Sequence, residues 1–269
     1  WHHQSLTQQN ISIINSPLNG HTGALYLIAT ANSPTKLTLN QWSFKNNQAN
    51  SKFGGGCGIW IAPNVTSGSG TSSLQLSFDR CEWVSNVAKR SFVGETDGDQ
   101  RKDLYNGLGG AFQQGFSQSN CDCELTFDDC YFENNTADSE GGALAIQIIR
   151  SCTINNCRFI GNQCGTNNTG SIGSNSGGAI FIDPDFANEL IGNQAREPET
   201  KIIGCYFERN TAPTSGLGHS ISLTGLNAEV EITDNNIFIN NDGVIGSAIY
   251  SLCPRLTFSD AEFKGDNKI

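Results

Sequence analysis

The chain has 269 residues, a formal net charge of −10 and only 16% charged residues. This length can bury a large core, and the abundance of Gly, Ser, Thr and Asn favours many short strands joined by turns over helices. The acidic balance argues against a nucleic-acid partner, and the longest clean apolar run, 24–31, is too short to cross a bilayer. We therefore expect an all-β protein with no direct membrane insertion in this segment.

The chain begins at Trp1 and contains no Met. We expect a processed or excised piece of a longer chain, or a subunit of an assembly. The Trp1-His2-His3 start is interpreted as a lead-in or a cap, because one His pair is not a set of metal ligands. Ten cysteines and four glycosylation sequons favour an oxidising, glycosylating route to the outside of the cell or the cell surface. The sequons are at Asn10, Asn64, Asn134 and Asn167.

One pattern recurs eight times along the chain. A compressed copy at 11–27 is followed by copies at 37–61, 76–114, 124–146, 152–182, 201–223 and 230–251, and by a partial copy at 256–266. The clearest copy contains FENNTADSEGGALAI at 132–146, and the consensus is L-x-I-x-x-C-x-F-x-x-N-x-A, a variable gap, and G-G-A-I-x-I. Repeats that keep apolar positions while their gaps vary are typical of a solenoid.

Aligned copies place equivalent residues in columns. The aromatic column contains Leu18, Phe44, Trp83, Phe132, Phe159, Phe207, Ile237 and Phe263. An asparagine column follows three residues later, with Asn47, Asn86, Asn135, Asn162, Asn210 and Asn240, and with His21 and Asp266 in the outer copies. Because an amide both donates and accepts hydrogen bonds, we predict a structural ladder of Asn side chains. Ala49, Ala88, Ala137 and Ala212 form an alanine column at a tight corner.

The two-residue alternation in L-x-I and I-x-I indicates strands rather than helices. Three short strands in each copy, with bends at Asn-x-Ala and at the glycines, make one coil. We predict a single-stranded right-handed parallel β-helix of about eight coils, forming one domain over residues 1–269.

The tetrapeptides FENN, FIGN, FERN and FINN, paired with GGAL, GGAI and GSAI, resemble the FxxN and GGA[ILV] repeats of the chlamydial polymorphic membrane proteins. The resemblance extends from about residue 11 to 266, with departures in the first, second and sixth copies (GAL, GCGI and GHSI). It implies a surface-exposed parallel β-helix, the passenger of an autotransporter, used in adhesion or as a structural coat.

Cys81, Cys130, Cys157 and Cys205 occupy one column in copies three to six. Stacked neighbours are close enough for disulfides, but parallel strands aim both Cβ atoms the same way, so a ladder of buried thiols is an equally good interpretation. The remaining cysteines are interpreted as disulfide staples of loops: Cys57, Cys121, Cys123, Cys152, Cys164 and Cys253. The chain contains no C-x-x-C pair, so a zinc site is not predicted.

A polysaccharide-active hydrolase or lyase is the alternative function. The polygalacturonase family carries paired Asp, a Gly-His-Gly and an Arg-x-Lys, and this chain offers Asp128, Asp129 and His219 without the Arg-x-Lys. These residues belong to copies four and six, roughly 10 Å apart along the axis, whereas an acid and a base should flank one bond. We therefore expect no enzyme, although the residues leave the question open.

A calcium-dependent carbohydrate-binding module is a further alternative. Its ligands would be Glu95, Asp97, Asp99 and Asp103 in one loop, although the spacing is not that of an EF-hand. A solvated loop without cofactor is favoured. The favoured function is an extracellular structural or adhesive module that stacks head to tail into a filament or coat. Its partners would be other subunits or cell-surface glycans, met by insertions at 89–108, 165–176 and 183–199.

Overall fold

The computed structural model is a stack of parallel β-sheets. It describes residues 5–9, 12–14, 17–18, 24–27, 35–51, 59–61, 72–90, 107–114, 121–147, 150–166, 176–183, 199–213, 216–225, 228–241 and 248–267. Strands are numbered β1 to β27 in chain order, and each pairs in parallel with its equivalents in the neighbouring copies. The described part of the chain contains strands and no helix.

The strands form four sheets. The first sheet contains β1 (Ser5–Gln9), β5 (Thr35–Asn40), β9 (Ser72–Asp79), β13 (Cys121–Asp128), β17 (Ser151–Asn155), β20 (Glu199–Ile203), β23 (Glu229–Thr233) and β26 (Arg255–Phe258). The second contains β2 (Ser12–Ile14), β6 (Ser43–Lys45), β10 (Glu82–Val84), β14 (Tyr131–Glu133), β18 (Arg158–Ile160), β21 (Tyr206–Glu208), β24 (Asn236–Ile239) and β27 (Ala261–Lys264). The third contains β3 (Pro17–Leu18), β7 (Gln48–Ser51), β11 (Val87–Arg90) and β15 (Thr136–Ala137). The fourth contains β4 (Leu25–Leu27), β8 (Ile59–Ile61), β12 (Phe112–Gln114), β16 (Leu144–Ile146), β19 (Ile180–Ile182), β22 (Ile221–Leu223) and β25 (Ile249–Ser251).

The first seven coils each pass through the first, second and fourth sheets, and the described part of the eighth coil passes through the first two, which confirms the predicted parallel β-helix. The expectation of three strands per coil is incomplete, because in the first four coils the Asn-x-Ala bend is itself long enough to pair as the third sheet. In coils five and six this bend is reduced to bridges at Gln163 and Thr211.

The core is a stack of rings along the axis of the helix. Phe132 lies between Trp83 and Phe159, with centroid distances of 4.7 Å on both sides and nearly parallel ring planes. The stack continues through Phe207 to Phe238 at 5.0 and 4.8 Å. These spacings match the distance between neighbouring strands, so each of these coils contributes one ring to a continuous stack, and Phe78, Phe112 and Phe127 add further buried rings beside it.

Two copies are displaced from the predicted aromatic column. In the first, Ile13 pairs with Phe44, and Leu18 pairs with Ala49, so Leu18 is not in the aromatic column. The first strand of that copy is Ser5–Gln9, which precedes the predicted start of the copy at residue 11. In the seventh copy, Phe238 rather than Ile237 pairs with Phe207.

The displacement in the seventh copy has a local cause. Other coils turn from the first to the second sheet through one residue with positive φ, such as Asp129 (φ 50°). Here two consecutive residues, Asp234 and Asn235, have φ values of 61° and 63°. The additional turn residue moves the aromatic and asparagine positions of this copy by one, to Phe238 and Asn241.

The glycine pair turns the chain into the fourth sheet. Gly141 has φ 65°, a left-handed conformation that favours glycine. A Cβ on Gly142 would overlap the carbonyl oxygen of Gly178 in the next coil and lie 2.6 Å from the backbone nitrogen of Gln163. The second glycine therefore lets adjacent coils approach at this corner.

Candidate functional site

The asparagine column forms a continuous buried ladder. In each rung the Asn Nδ2 and backbone N–H donate to the Oδ1 of the next rung, for example from Asn135 to Asn162 at 3.0 and 3.1 Å. Nδ2 also donates to a backbone carbonyl of the preceding coil, as Asn135 Nδ2 does to Trp83 O at 3.0 Å. The rungs are Asn47, Asn86, Asn135, Asn162, Asn210, Asn241 and Asn267. A role repeated from the second coil to the eighth is that of a scaffold.

The predicted rung Asn240 is wrong, because Asn241 takes that place. Asn210 donates from its N–H and Nδ2 to Asn241 Oδ1 at 3.0 and 3.1 Å. Asn240 is exposed, with φ 50°, at the turn before the ladder. The last copy is also displaced, since Asn267 rather than Asp266 accepts from Asn241. The two-residue turn explains the first displacement.

The four cysteines of one column lie at the corner between the first and second sheets. We call Cys81, Cys130, Cys157 and Cys205 the thiol column; each is at most 1% exposed, and all four are free thiols. Each thiol has two carbonyl oxygens within reach of its single S–H donor, as Cys130 has Phe78 O at 3.5 Å and Asp128 O at 3.3 Å. The open choice between disulfides and a thiol ladder is thus resolved in this structure in favour of thiols.

Cysteines outside the thiol column were interpreted as loop staples. Four of them, Cys123, Cys152, Cys164 and Cys253, are buried. Cys152 and Cys164 are thiols in this structure, so the staple interpretation finds no support for these two. Cys152 is within β17 and pairs in register with Leu125, where it faces the core as a small apolar residue. Cys57 and the side chain of Cys121 lie outside the described residues.

Three carboxylates meet at the same corner on the outside. Oxygen atoms of Asp79, Asp128 and Asp129 lie within 4.8 Å of one another. Arg80 Nη2 binds Asp79 Oδ2 at 2.8 Å, and this hydrogen bond raises the pKa of Arg80. Asn155 Nδ2 donates to Asp128 Oδ1 at 2.6 Å. Carboxylate oxygens are ligands of calcium, but here some of these oxygens already accept hydrogen bonds from Arg80 and Asn155.

Sequence reasoning found Asp128 and Asp129 in this group and missed Asp79. The signal was available, since Asp79 and Asp128 end equivalent strands and pair in register. The structure does not bring His219 to them. Asp129 turns the chain from the first to the second sheet, whereas His219 precedes β22 of the fourth sheet, and it is buried, with Nδ1 accepting from Ala212 N–H at 3.0 Å. The predicted Asp and His therefore do not form an acid and base around one bond.

The remaining predicted sites are mostly outside the described residues. Asn10, Asn64 and Asn167, and the candidate calcium ligands Glu95, Asp97, Asp99 and Asp103, lie there. Asn134 is exposed at the turn between the second and third sheets, while Asn135 is fully buried. Of these two, Asn134 is the residue that a glycan could reach.

An apolar surface on the eighth coil was also missed. We call it the end face: Leu256, Phe258 and Phe263 are 36%, 43% and 46% exposed. These residues occupy columns that are buried one coil earlier, where Val230, Ile232 and Phe238 are at most 1% exposed. No equivalent strand covers these columns among the described residues.

Comparison with known proteins finds one relationship. Residues 129–147 match the Chlamydia polymorphic membrane protein repeat. This matched segment extends from the corner Asp129 through the ladder residue Asn135 and the glycine pair to β16, so the repeat named in that family is one coil of this β-helix without its first strand. No curated protein and no solved structure matches the chain. Among the described residues, no helix has the length and apolar character needed to cross a membrane.

Proposed function

We propose that the chain is a surface-associated structural and adhesive module that acts outside the cell and stacks end to end into a filament or coat. The match to a repeat of membrane proteins supports the surface location. The buried ladders support the structural role, because they repeat the same residue in successive coils while the outward residues vary. Partners, whether further subunits or cell-surface glycans, would be met by outward side chains and loops on this rigid support.

The end face carries the proposed stacking. Its apolar side chains are large, and burying each of them is worth about 1.5–3 kcal/mol. The edges of β26 and β27 also present backbone groups that a further parallel strand can pair with. We infer that a second copy supplies this strand.

The two ends of the helix have matching registers. Leu6 of β1 and Leu256 of β26 belong to one register column, and so do Ile13 of β2 and Phe263 of β27. A second copy would place its β1 beside β26 and its β2 beside β27. Such a contact joins different surfaces of the two copies, so it is open-ended and leads to a filament.

Sedimentation velocity over a concentration series tests the stacking. The unaltered chain should form species that grow with concentration, and Leu256→Ser with Phe263→Ser should shift it to monomer. The matched control is Thr257→Ser with Glu262→Gln, in the same strands but on their outward side, which should associate normally. A chain that stays monomeric, or association that survives the first variant, would refute stacking. Binding of the labelled chain to cultured epithelial cells tests the adhesive role. Equal binding of the folded and the heat-unfolded chain would contradict that role.

A further inference from the structure

The thiol column places potential metal ligands side by side. The residues that follow its cysteines pair directly, Glu82 with Tyr131, Tyr131 with Arg158, and Arg158 with Tyr206. Neighbouring thiols are therefore about one strand spacing, ~4.8 Å, apart at the backbone. A disulfide requires Cβ atoms about 3.8 Å apart, which in-register parallel residues do not reach without backbone movement. An ion between two sulfurs bridges a longer gap than a sulfur–sulfur bond.

The linear arrangement determines which ions fit. Structural zinc needs four ligands around one centre, whereas three successive thiols of the column extend over about 9.6 Å. Among the described residues, the close group of three potential ligands is Asp79, Asp128 and Asp129, and it contains no cysteine. Cys130 and Cys157 thus have a sulfur neighbour on either side, and Cys81 and Cys205 have one on one side. Thiolate ligands select soft cations such as Cu(I), and monovalent soft cations are satisfied by two thiolates.

Backbone donors point at the sulfurs. Trp42 N–H donates to Cys81 Sγ at 3.4 Å, and Cys81 N–H donates in the same way to Cys130 Sγ. Hydrogen bonds from N–H groups to a ligand offset the negative charge that it carries on a metal. An S–H group is a weak hydrogen-bond donor, as in the contact from Cys157 to Phe127 O at 3.5 Å, so losing such bonds on metal binding costs little.

We propose that adjacent thiols of the column bind a thiophilic two-coordinate cation of the Cu(I) and Ag(I) class. For each ion, two S–H bonds break, two metal–sulfur bonds form, two protons leave to solvent, and no electron is transferred. This site is separate from the end face and does not depend on the proposed function. Because the thiols lie beneath the exposed turn residues Arg80, Asp129 and Asn156, loading requires the corner to open and should be slow.

Two double variants test the pairing of thiols. Cys81→Ser with Cys205→Ser keeps the neighbours Cys130 and Cys157. Cys130→Ser with Cys205→Ser also keeps two thiols of the column, Cys81 and Cys157, but they are two coils apart. Serine retains a donor for the carbonyls, and circular dichroism checks that both variants fold.

Each variant is incubated with Ag(I) for hours beside an excess of a small monothiol, which competes for ions held by a single protein thiol, and native mass spectrometry counts the ions retained. The first variant should retain at least one more ion than the second. Equal counts would overturn the proposal. X-ray absorption at the silver edge of the unaltered chain gives a second reading that needs no variant. Two sulfur neighbours are expected for each ion, and one sulfur with nitrogen or oxygen would overturn the proposal.

Discussion

Removal of one rung of the asparagine ladder should cost much more stability than removal of an outward amide. Asn135 Oδ1 accepts from the N–H and the Nδ2 of Asn86, both at 3.0 Å. Its Nδ2 donates to Trp83 O and to Asn162 Oδ1, also at 3.0 Å. Asn135→Ala breaks all four bonds and leaves the buried Asn86 N–H without its acceptor. A buried unsatisfied group costs about 1–3 kcal/mol and each of the other three bonds about 1 kcal/mol, so we expect a loss of about 4–6 kcal/mol.

The matched control is Asn155→Ala. Asn155 is in the strand that precedes a later rung, and its amide makes an outward hydrogen bond to Asp128. Its removal should change the free energy of unfolding by about 0.5 kcal/mol. Guanidinium unfolding gives the comparison. Since coils can unfold separately in a repeat protein, hydrogen exchange of peptides from coils three and five should show whether the loss is local. Equal effects of both substitutions would refute the reasoning.

Asn135→Asp separates the donor from the acceptor function. The carboxyl keeps an oxygen for Asn86 but replaces the donating Nδ2 by a second oxygen that faces the acceptors Trp83 O and Asn162 Oδ1. Burial and these acceptors raise the pKa of this carboxyl in the folded state. The protonated carboxyl still has a donor. The free energy of unfolding of this variant should therefore be highest below the pKa that the carboxyl has in the unfolded chain, and it should fall as the pH rises through the pKa that the carboxyl has in the folded protein. A pH-independent loss would contradict this assignment.

Two further predictions concern the glycine corner and the core thiols. Gly142→Ala should lower the free energy of unfolding in guanidinium by about 2–3 kcal/mol, because the new methyl group meets the backbone of Gln163 and Gly178. The control is Gly161→Ala, where the nearest atom is in the flexible side chain of Asn134, and it should cost only about 1 kcal/mol for the left-handed φ of this residue. A larger loss for Gly161→Ala than for Gly142→Ala would contradict the packing argument. Burial raises the pKa of Cys152 to about 12, so about one thiol in 10⁴ is ionised at pH 8. Peptide mass spectrometry should therefore show alkylation of Cys152 only when the protein unfolds. Alkylation of the folded protein at the rate of an unfolded control would contradict the burial of Cys152.

The columns of the fold could be predicted because the β-helix stacks equivalent residues directly above one another. A Phe such as Phe132, an Asn such as Asn135 and a glycine pair recur for the same steric or hydrogen-bonding reason in each coil, so the pattern is visible without a structure. The prediction failed where a turn gains one residue. Asp234 and Asn235 together replace a single turn residue, and a count from the preceding strand then reaches Asn240 instead of Asn241.

Groups formed across coils were harder to predict. Asp79 and Asp128 are adjacent in space because they end paired strands, yet a long insertion separates them in sequence. Exposure of Phe263 also had no local signal, since its sequence context is that of a core residue. What distinguishes it is the absence of a covering strand among the described residues, which depends on neighbours rather than on the residue itself.

The displaced turn of the seventh coil also bears on the thiol column. It brings Asn236 to the place that Cys205 has one coil earlier, and Asn236 reproduces the hydrogen bonds of a thiol. Its Nδ2 donates to Ile202 O at 3.1 Å and to Thr233 O at 2.6 Å, while its Oδ1 accepts from Cys205 N–H at 2.8 Å. An amide therefore satisfies this corner with shorter bonds than sulfur does. Hydrogen bonding alone does not require four successive cysteines here, and this is why the pairing of the thiols, rather than their burial, is the property to test with a metal.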